Sequence, residues 1–286
     1  MEERRLGARL DLAEPASSPR ADDLPYSVST LDRAIDVLEA FSHKSPELSL
    51  KQIAARTGLH KATAFRLVTT LSRRGLMIKH PMTGRYRLGF ELISLAEIAK
   101  GQTSLVAEAL PVMRQVRDQL NETAFLCVRV GDHRVDIEQV EGLQNIRRVL
   151  TLGEQKSLYA GAGSKVLLAA MSDAAIEAYL GRTKLVALTK TTPTSVKAVW
   201  AEMQAIRRQG YAEGWDERDS GGAGAAAPIF GPSGEVMGAL AIAVPTSRYS
   251  VALKKKTIAA VIKGAAAISD RLAAPKRREL RGGPAA

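Results

Sequence analysis

The chain has one cysteine, Cys127, and four histidines among 286 residues. A single thiol excludes an internal disulfide framework, and without a Cys-x-x-Cys pair or a Cys/His cluster no ligand set for structural zinc is present. Aromatic residues make up 5% of the chain. Long apolar runs are also missing. The longest, such as 236–245, reach about ten residues, against the roughly 18–20 that a membrane-spanning helix needs. Residues 1–25 have no apolar core segment and mix Glu2, Glu3, Arg4 and Arg5 with Pro15, Ser17, Ser18 and Pro19. They read as a disordered tail rather than a signal peptide, so a cytoplasmic location is the default expectation.

What is present is an ordinary globular balance of 45% hydrophobic and 25% charged residues, with a net charge of +11. At roughly 100–200 residues per domain, the length suggests two domains. The surplus charge is unevenly placed, with +6 in residues 26–103, +4 in 104–273 and +3 in 274–286. Residues 48–90 contain Lys51, Arg56, Lys61, Arg66, Arg73, Arg74, Lys79, Arg85 and Arg87 and no acid. Such a run is either a solvated face or the footprint of a polyanion.

The residues between these bases favour the polyanion. Leu50, Ile53 and Ala54 fall at helical spacing, Thr57-Gly58-Leu59 interrupts, and Ala64, Leu67, Val68 and Leu71 resume the period. A small residue on the first helix and a glycine four positions later allow a close crossing and a tight turn, the layout of a helix-turn-helix. Before it, Leu31, Ile35, Leu38 and Phe41 predict the buried stripe of an earlier helix, with Ser29 or Thr30 as N-cap. After it, 75–79 and 85–88 read as two strands around a Pro81-Met82-Thr83-Gly84 turn. Three helices and a basic hairpin make a winged helix-turn-helix over 26–89; the bland alternative for the hairpin is a plain β-turn. With the apolar face of the second helix inward, its N-terminal turn is free to enter a major groove of double-stranded DNA. The contact set is Lys51, His60, Lys61, Ala62, Thr63, Phe65, Arg66, Arg73, Thr83, Arg85 and Tyr86. Lys61 and Arg66 can reach phosphates or guanine acceptors, Thr63 either, and Ala62 or Phe65 a thymine methyl. His60 reads as a cap or a phosphate contact.

Phe90, Leu92, Ile93, Leu95, Ala96 and Ile98 continue at helical spacing, predicting a linker helix over 90–103 whose stripe must be buried against something, a second copy of the chain included. A helix from Ser104 or Leu105 to Leu120 follows. From residue 123 the pattern turns to strands at 123–130, 134–140 and 146–152, helices at 163–170, 173–180 and 196–209, strands at 225–230 and 235–244, and a last helix over 253–272. This order indicates an α+β domain over 104–273 with a mostly antiparallel sheet. Residues 274–286 form a basic tail with Lys276, Arg277 and Arg278.

No catalytic constellation assembles. Gly161-Ala162-Gly163-Ser164-Lys165 lacks the Walker A spacing. Ser164 and Lys165 are adjacent and belong to a helix start, Cys127 reads as a buried thiol in an apolar strand, and His133 has no clear partner. No catalytic residue, metal site or cofactor is expected.

The run from Leu48 to Leu67 is similar to the helix-turn-helix of IclR-type bacterial transcription regulators. The resemblance continues through Gly84-Arg85-Tyr86-Arg87-Leu88-Gly89, Glu122-Thr123-Ala124, Ser164-Lys165 and Ala226-Ala227-Pro228, covering about residues 25–272. It implies an N-terminal winged helix, a C-terminal effector-binding domain with a GAF-like sheet, and homodimers that often pair into tetramers. It also implies a small organic effector, often a carboxylic or aromatic acid, in the second domain. In members that bind small oxo acids, backbone donors lie at the loop matching Gly161 and Ala162, an Asp matches Gly214, a Cys matches Gly224, and two Ser match Ala241 and Ala243. The Gly and Ala residues here imply a wider, more apolar cavity for a larger, aromatic or apolar acid, or one that has lost small-acid binding. Tyr159 and Trp215 are candidates to stack on a ring, and Arg147 or Arg148 to meet a carboxylate, each with an ordinary core or surface role as the alternative. The expected function is a ligand-responsive DNA-binding regulator. The rivals are a DNA binder whose second domain only oligomerises, and a small-molecule hydrolase with an accessory basic domain.

Overall fold

The computed structural model describes residues 28–42, 44–102 and 104–274. The expected tail 1–25 lies outside them, as does the expected basic tail 274–286 apart from Ala274. The chain divides into two compact units at Ile98/Ala99.

The first unit holds α1 (Ser29–Glu39), α2 (Leu50–Thr57), α3 (Lys61–Arg73) and the hairpin of β1 (Met77–Lys79) and β2 (Tyr86–Leu88). Ser49 starts α2 with a reciprocal capping box: its Oγ accepts the Gln52 N–H at 3.3 Å and Gln52 Oε1 accepts the Ser49 N–H at 2.9 Å, satisfying two donors that a helix start leaves open. Gly58 ends α2 at φ 68°, a left-handed conformation in which a side chain is strained. The core is Val37, Leu48, Ile53, Leu67, Val68, Leu71, Met77 and Tyr86, so Ile53 and the apolar face of α3 lie where the sequence puts them. Two expectations for α1 fail. Val28 is the N-cap, without a side-chain bond, and Ser29 is already helical. The buried side of α1 is centred on Val37, with Ala34, Leu38 and Phe41 packed around it, and Leu31 and Ile35 are exposed. The α1 stripe is therefore wider than the single buried face requires, leaving an apolar side free.

From Glu91 to Gln102 the helix α4 carries the chain onward. Phe90, Ile93, Leu95 and Ile98 are exposed in the single chain, so the stripe expected to be buried is not covered within one copy.

The second unit is a six-stranded antiparallel sheet in the order β5-β4-β3-β8-β7-β6. Its strands are β3 (Thr123–Val130), β4 (His133–Val140), β5 (Gln155–Ser157), β6 (Ala212–Trp215), β7 (Gly222–Phe230) and β8 (Val236–Pro245). On one face α5 (Ser104–Leu120) and α9 (Val251–Ala273) bury Leu105, Met113, Leu126, Leu240, Val261 and Ile268. On the other, α6 (Ala162–Ala169), α7 (Asp173–Arg182) and α8 (Val196–Gln209) cover Phe125, Cys127, Leu168, Tyr179 and Met203. Alternation along the strands supplies an apolar side chain to each face in turn.

The strand expected at 146–152 is absent. The Gln139 side chain stands in for a ladder there, donating to the Leu150 carbonyl at 3.0 Å and accepting its N–H at 2.9 Å. Thr123 Oγ1 donates to the Arg148 carbonyl at 2.5 Å and accepts the Gly142 N–H at 3.0 Å. The segment is an extended loop held by side chains, and the sheet is completed instead by β5. Edge strand β6 was not expected, because four residues containing Gly214 carry little strand signal.

Candidate functional site

In the first unit the N-terminal turn of α3 presents Lys61, Ala62, Phe65 and Arg66 to solvent, with Phe65 50% exposed and Thr63 half-buried. Lys51, Arg73, Thr83 and Arg85 are exposed as well. His60 occupies the N-cap position of α3 and makes no side-chain cap bond, so its expected capping role is not realised.

The tip of the wing is organised by His80, whose Nδ1 accepts the N–H groups of Met82 and Thr83, both at 3.2 Å. Its backbone N–H reaches the Arg85 carbonyl at 2.7 Å. One further residue of the set departs from expectation. Tyr86 is 5% exposed: its main chain pairs with Leu48, and its ring belongs to the core. It supports the wing from within and is not available for a contact. Of the nine bases, Arg56 is a tie, donating to the Ala40 carbonyl at 2.7 Å and Ser45 Oγ at 3.0 Å. The rest leave this unit with a basic, acid-poor face suited to phosphates.

In the second unit a cavity of about 420 Å³ opens between the 148–151 loop, the start of α6 and the 217–219 segment. Arg148, Gly161, Ala162, Gly214, Gly224 and Ala243 line it, as the resemblance implies. Four other candidates do not. Tyr159 is a core residue whose hydroxyl donates to the Val186 carbonyl at 3.0 Å and accepts its N–H at 3.2 Å. Trp215 is one residue along β6 from Gly214 and so faces the opposite side of the sheet, its ring 5.7 Å from that of Tyr249. Arg147 points outward to Glu141 at 2.7 Å, and Ala241 is sealed in the core.

The small residues at 214 and 224 do not widen the cavity. A Cβ on Gly224 would lie 1.9 Å from the Ile242 carbonyl oxygen, and one on Gly214 3.0 Å from the Ala162 nitrogen. Neighbouring backbone has filled the space that a side chain would take. The expectation of a more apolar pocket fails too, because polarity enters from positions the sequence did not single out: Arg134, Glu154, Lys156, Glu217 and Arg218. Arg134 and Asp136 lie two apart on β4 and are both buried, their side chains joined at 2.9 Å. Lys156 meets the same Asp136 oxygen at 3.0 Å, and the Arg134 guanidinium also stands 5.3 Å from the Phe125 ring centre. Opposite charges at i and i+2 within a strand pattern were the available signal for this pair. Arg218 and Glu217 sit in a connection with no such pattern.

Glu217 bridges two elements, accepting the Gly161 N–H at 2.8 Å with Oε2 and the Lys165 ammonium at 2.5 Å with Oε1. Glu202 also contacts Lys165 at 2.8 Å. Lys165 and Ser164 are thus buried parts of α6. Arg218 Nη2 donates to the Ser157 carbonyl at 2.7 Å, Ser157 Oγ at 3.1 Å and the Ala160 carbonyl at 3.1 Å. Burial first, and the nearby Arg134 charge second, push its pKa below the ordinary arginine value. Among the described residues, no group of three or more His, Cys, Asp or Glu is placed to hold a metal, and no helix is long and apolar enough to cross a membrane.

Comparison with known proteins agrees with both units. Residues 30–77 match the IclR helix-turn-helix domain, and residues 99–270 match the C-terminal domain of bacterial IclR transcriptional regulators. The HTH-type transcriptional regulator BhcR of Paracoccus denitrificans is 30% identical over 242 residues, covering 85% of this chain and 86% of that protein. An IclR transcriptional regulator from Alicyclobacillus acidocaldarius superposes with a TM-score of 0.79 at 27% identity, over 86% of this chain and all of that one. An IclR homologue from Microbacterium hydrocarbonoxydans, solved with 4-hydroxybenzoate, shares the fold with a TM-score of 0.76 at 24% identity, over 85% of this chain and 99% of that one. With a basic helix-turn-helix in one unit and the family's sheet domain in the other, the chain belongs to the IclR family of bacterial transcriptional regulators, DNA-binding proteins rather than enzymes.

Proposed function

We propose that this regulator reads its operator through the N-terminal turn of α3 and the wing, and that a small organic acid in the cavity of the second unit changes its affinity for that operator. Lys61, Ala62, Thr63, Phe65 and Arg66 contact the major groove, Arg85 and Thr83 extend to the flanking backbone, and Lys51 and Arg73 add phosphate contacts. The observation that carries the reading is the pairing of this acid-free exposed face with a separate cavity whose wall mixes cations with Phe125, Leu150, Leu188 and Ile242. A volume of about 420 Å³ lies in the range of small-molecule sites and accommodates an aromatic acid. The 4-hydroxybenzoate held by the Microbacterium homologue supports the same ligand class.

The protein acts as a homodimer or a tetramer. Two half-sites demand a two-fold reader, and the exposed apolar residues of α1 (Leu31, Ile35) and α4 (Ile93, Leu95, Ile98) are surfaces that a second copy would cover. The ligand acts by preferring one of two arrangements of the dimer, which sets the coupling between the sites.

A gel shift of the full chain with the intergenic DNA upstream of its own gene, across a panel of aromatic and aliphatic acids, tests the proposal. At least one acid alters the mobility shift. Retardation that no acid changes would leave a DNA binder without an effector. Calorimetric binding of glyoxylate or pyruvate at micromolar strength, with no response to aromatic acids, would replace the ligand class.

A further inference from the structure

We infer that Arg218 and Arg134 form the carboxylate seat of the second-unit cavity, and that the ligand they select is a monocarboxylate with an apolar body. The inference rests on the reading of this cavity as the effector site and specifies which groups hold the ligand.

The argument begins with charge. Three of the four cations lining the cavity face a carboxylate: Arg148 meets Asp219 at 2.9 Å, Arg134 meets Asp136 at 2.9 Å, and Lys156 meets Asp136 at 3.0 Å and Glu154 at 3.3 Å. Arg218 has no carboxylate within ion-pair distance among the described residues; its partners are two carbonyls and a hydroxyl. A guanidinium stays charged at any physiological pH, and burying it beside another guanidinium without a counter-ion is unfavourable. Arg218 is therefore the cation of this wall that an incoming negative charge would pair.

Geometry says where it goes. The Nε atoms of Arg134 and Arg218 are both buried and unpartnered, and the Arg134 side chain is only 5% exposed. The point where a Cβ on Gly161 would stand lies 3.8 Å from Arg134 Nη1 and 3.8 Å from Arg218 Nε, with no nearer neighbour. Gly161 has no side chain there, and its φ of 88° disfavours one. A single carboxylate above Gly161 reaches both guanidinium groups, and each fork suits carboxylate geometry.

The competing seat is occupied. The Gly161 N–H, first donor of the loop that opens α6, is bonded to Glu217 at 2.8 Å. An incoming acid that used it would have to displace a carboxylate also fixed by Lys165. With one guanidinium left to pair, a dicarboxylate or a phosphate brings a second charge that finds carboxylates rather than a free cation on this wall. Phe125, Val149, Leu150, Leu188 and Ile242 then take the rest of the molecule.

The test is isothermal titration and thermal melting of the full chain at constant ionic strength. The probes are benzoate, 4-hydroxybenzoate, phenylacetate, hexanoate, the neutral benzamide, succinate and inorganic phosphate. The proteins are wild type, Arg218→Gln, Arg218→Lys and Arg147→Gln, the last at a side chain that points away from the cavity to Glu141. At least one monocarboxylate binds wild type, at least about tenfold more tightly than benzamide, succinate or phosphate, as expected for a charge-assisted contact. Arg218→Gln loses about tenfold or more with an unchanged circular dichroism spectrum, Arg218→Lys, which keeps the charge without the fork, falls between, and Arg147→Gln stays close to wild type. If Arg218→Gln fails to fold, the comparison of Arg218→Lys with Arg147→Gln decides in the same way. A monocarboxylate that binds both Arg218 variants like wild type overturns the seat and leaves the cavity reading intact. Preference for succinate or phosphate overturns the monocarboxylate class. Binding of no acid to wild type overturns the cavity reading itself.

Discussion

Glu217 occupies the Gly161 amide: its Oε2 accepts that N–H at 2.8 Å while Oε1 contacts Lys165 at 2.5 Å. A side chain from beyond β6 thereby fixes the loop that opens α6, and it supplies a counter-ion to an ammonium that is 5% exposed. One side chain thus carries both the loop conformation and part of the charge compensation of Lys165, which it shares with Glu202.

Glu217→Gln keeps an acceptor for the amide and leaves Lys165 with Glu202 alone, whereas Glu217→Ala leaves a donor unsatisfied as well. Urea unfolding is expected to show a loss of about 1–3 kcal/mol for the alanine variant and a smaller loss for glutamine. Equal losses would mean that the amide bond contributes nothing.

Tyr86 supports the wing from the core side, so its hydroxyl is dispensable for operator binding. Tyr86→Phe should leave the gel-shift midpoint unchanged, and Tyr86→Ala should destabilise the first unit by about 3–5 kcal/mol in chemical denaturation, the range for removing a buried aromatic. A phenylalanine variant that folds normally and binds operator poorly would return Tyr86 to the interface.

Arg66 is exposed on α3, one helical turn from its start. Arg66→Ala should weaken operator binding by about 1–3 kcal/mol if it reads a base. If it neutralises a phosphate, the slope of log affinity against log salt should instead become shallower by about 0.9. Titrations by fluorescence anisotropy at several salt concentrations distinguish the two, and an unchanged affinity with an unchanged slope would remove Arg66 from the contact set.

Asp132 and Arg182 form a two-pronged pair at 2.5 and 2.6 Å. The hydrogen bond from Arg182 holds the Asp132 pKa below the usual aspartate value. A depressed folded-state pKa contributes stability above the unfolded value, near 4, and that contribution is lost as pH falls through the folded one. The pair is largely solvated, so the effect is about 1 kcal/mol or less. The melting-temperature gap between wild type and Asp132→Asn is expected at pH 7 and should narrow as the pH falls through the depressed folded-state pKa.

Much of the architecture was legible because it rests on local periodicity. Ala64, Leu67, Val68 and Leu71 repeat at helical spacing, and Gly58 marks the turn, so α2, α3 and the hairpin could be placed from residues alone. Helix α8 falls on 196–209 as expected, bounded by a Ser195 cap and a left-handed Gly210. The cavity was only half legible. Gly161, Ala162, Gly214 and Gly224 line it, but reading their small size as empty space overlooked that backbone can move in, as the Ile242 carbonyl does at Gly224. Arg218 and Glu217 act through contacts with residues more than fifty positions away, which no local pattern encodes. The 146–152 segment resembles a strand in composition but is held as an extended loop by the Gln139 and Thr123 side chains, which come from other parts of the sequence.

Cys127 is buried in β3, packed against the start of α6, and its Sγ lies 3.7 Å from the Ala239 carbonyl oxygen. Burial pushes its pKa up to about 12, so at neutral pH the reactive thiolate is scarce and shielded. The wild-type chain is consequently expected to stay unlabelled by maleimide reagents while folded. A cysteine introduced at exposed Met82 on the wing tip or at Arg147 beside the cavity would carry the only fluorophore or spin label on each chain. Movements of the wing and of the cavity rim could then be followed by spectroscopy without removing the native thiol.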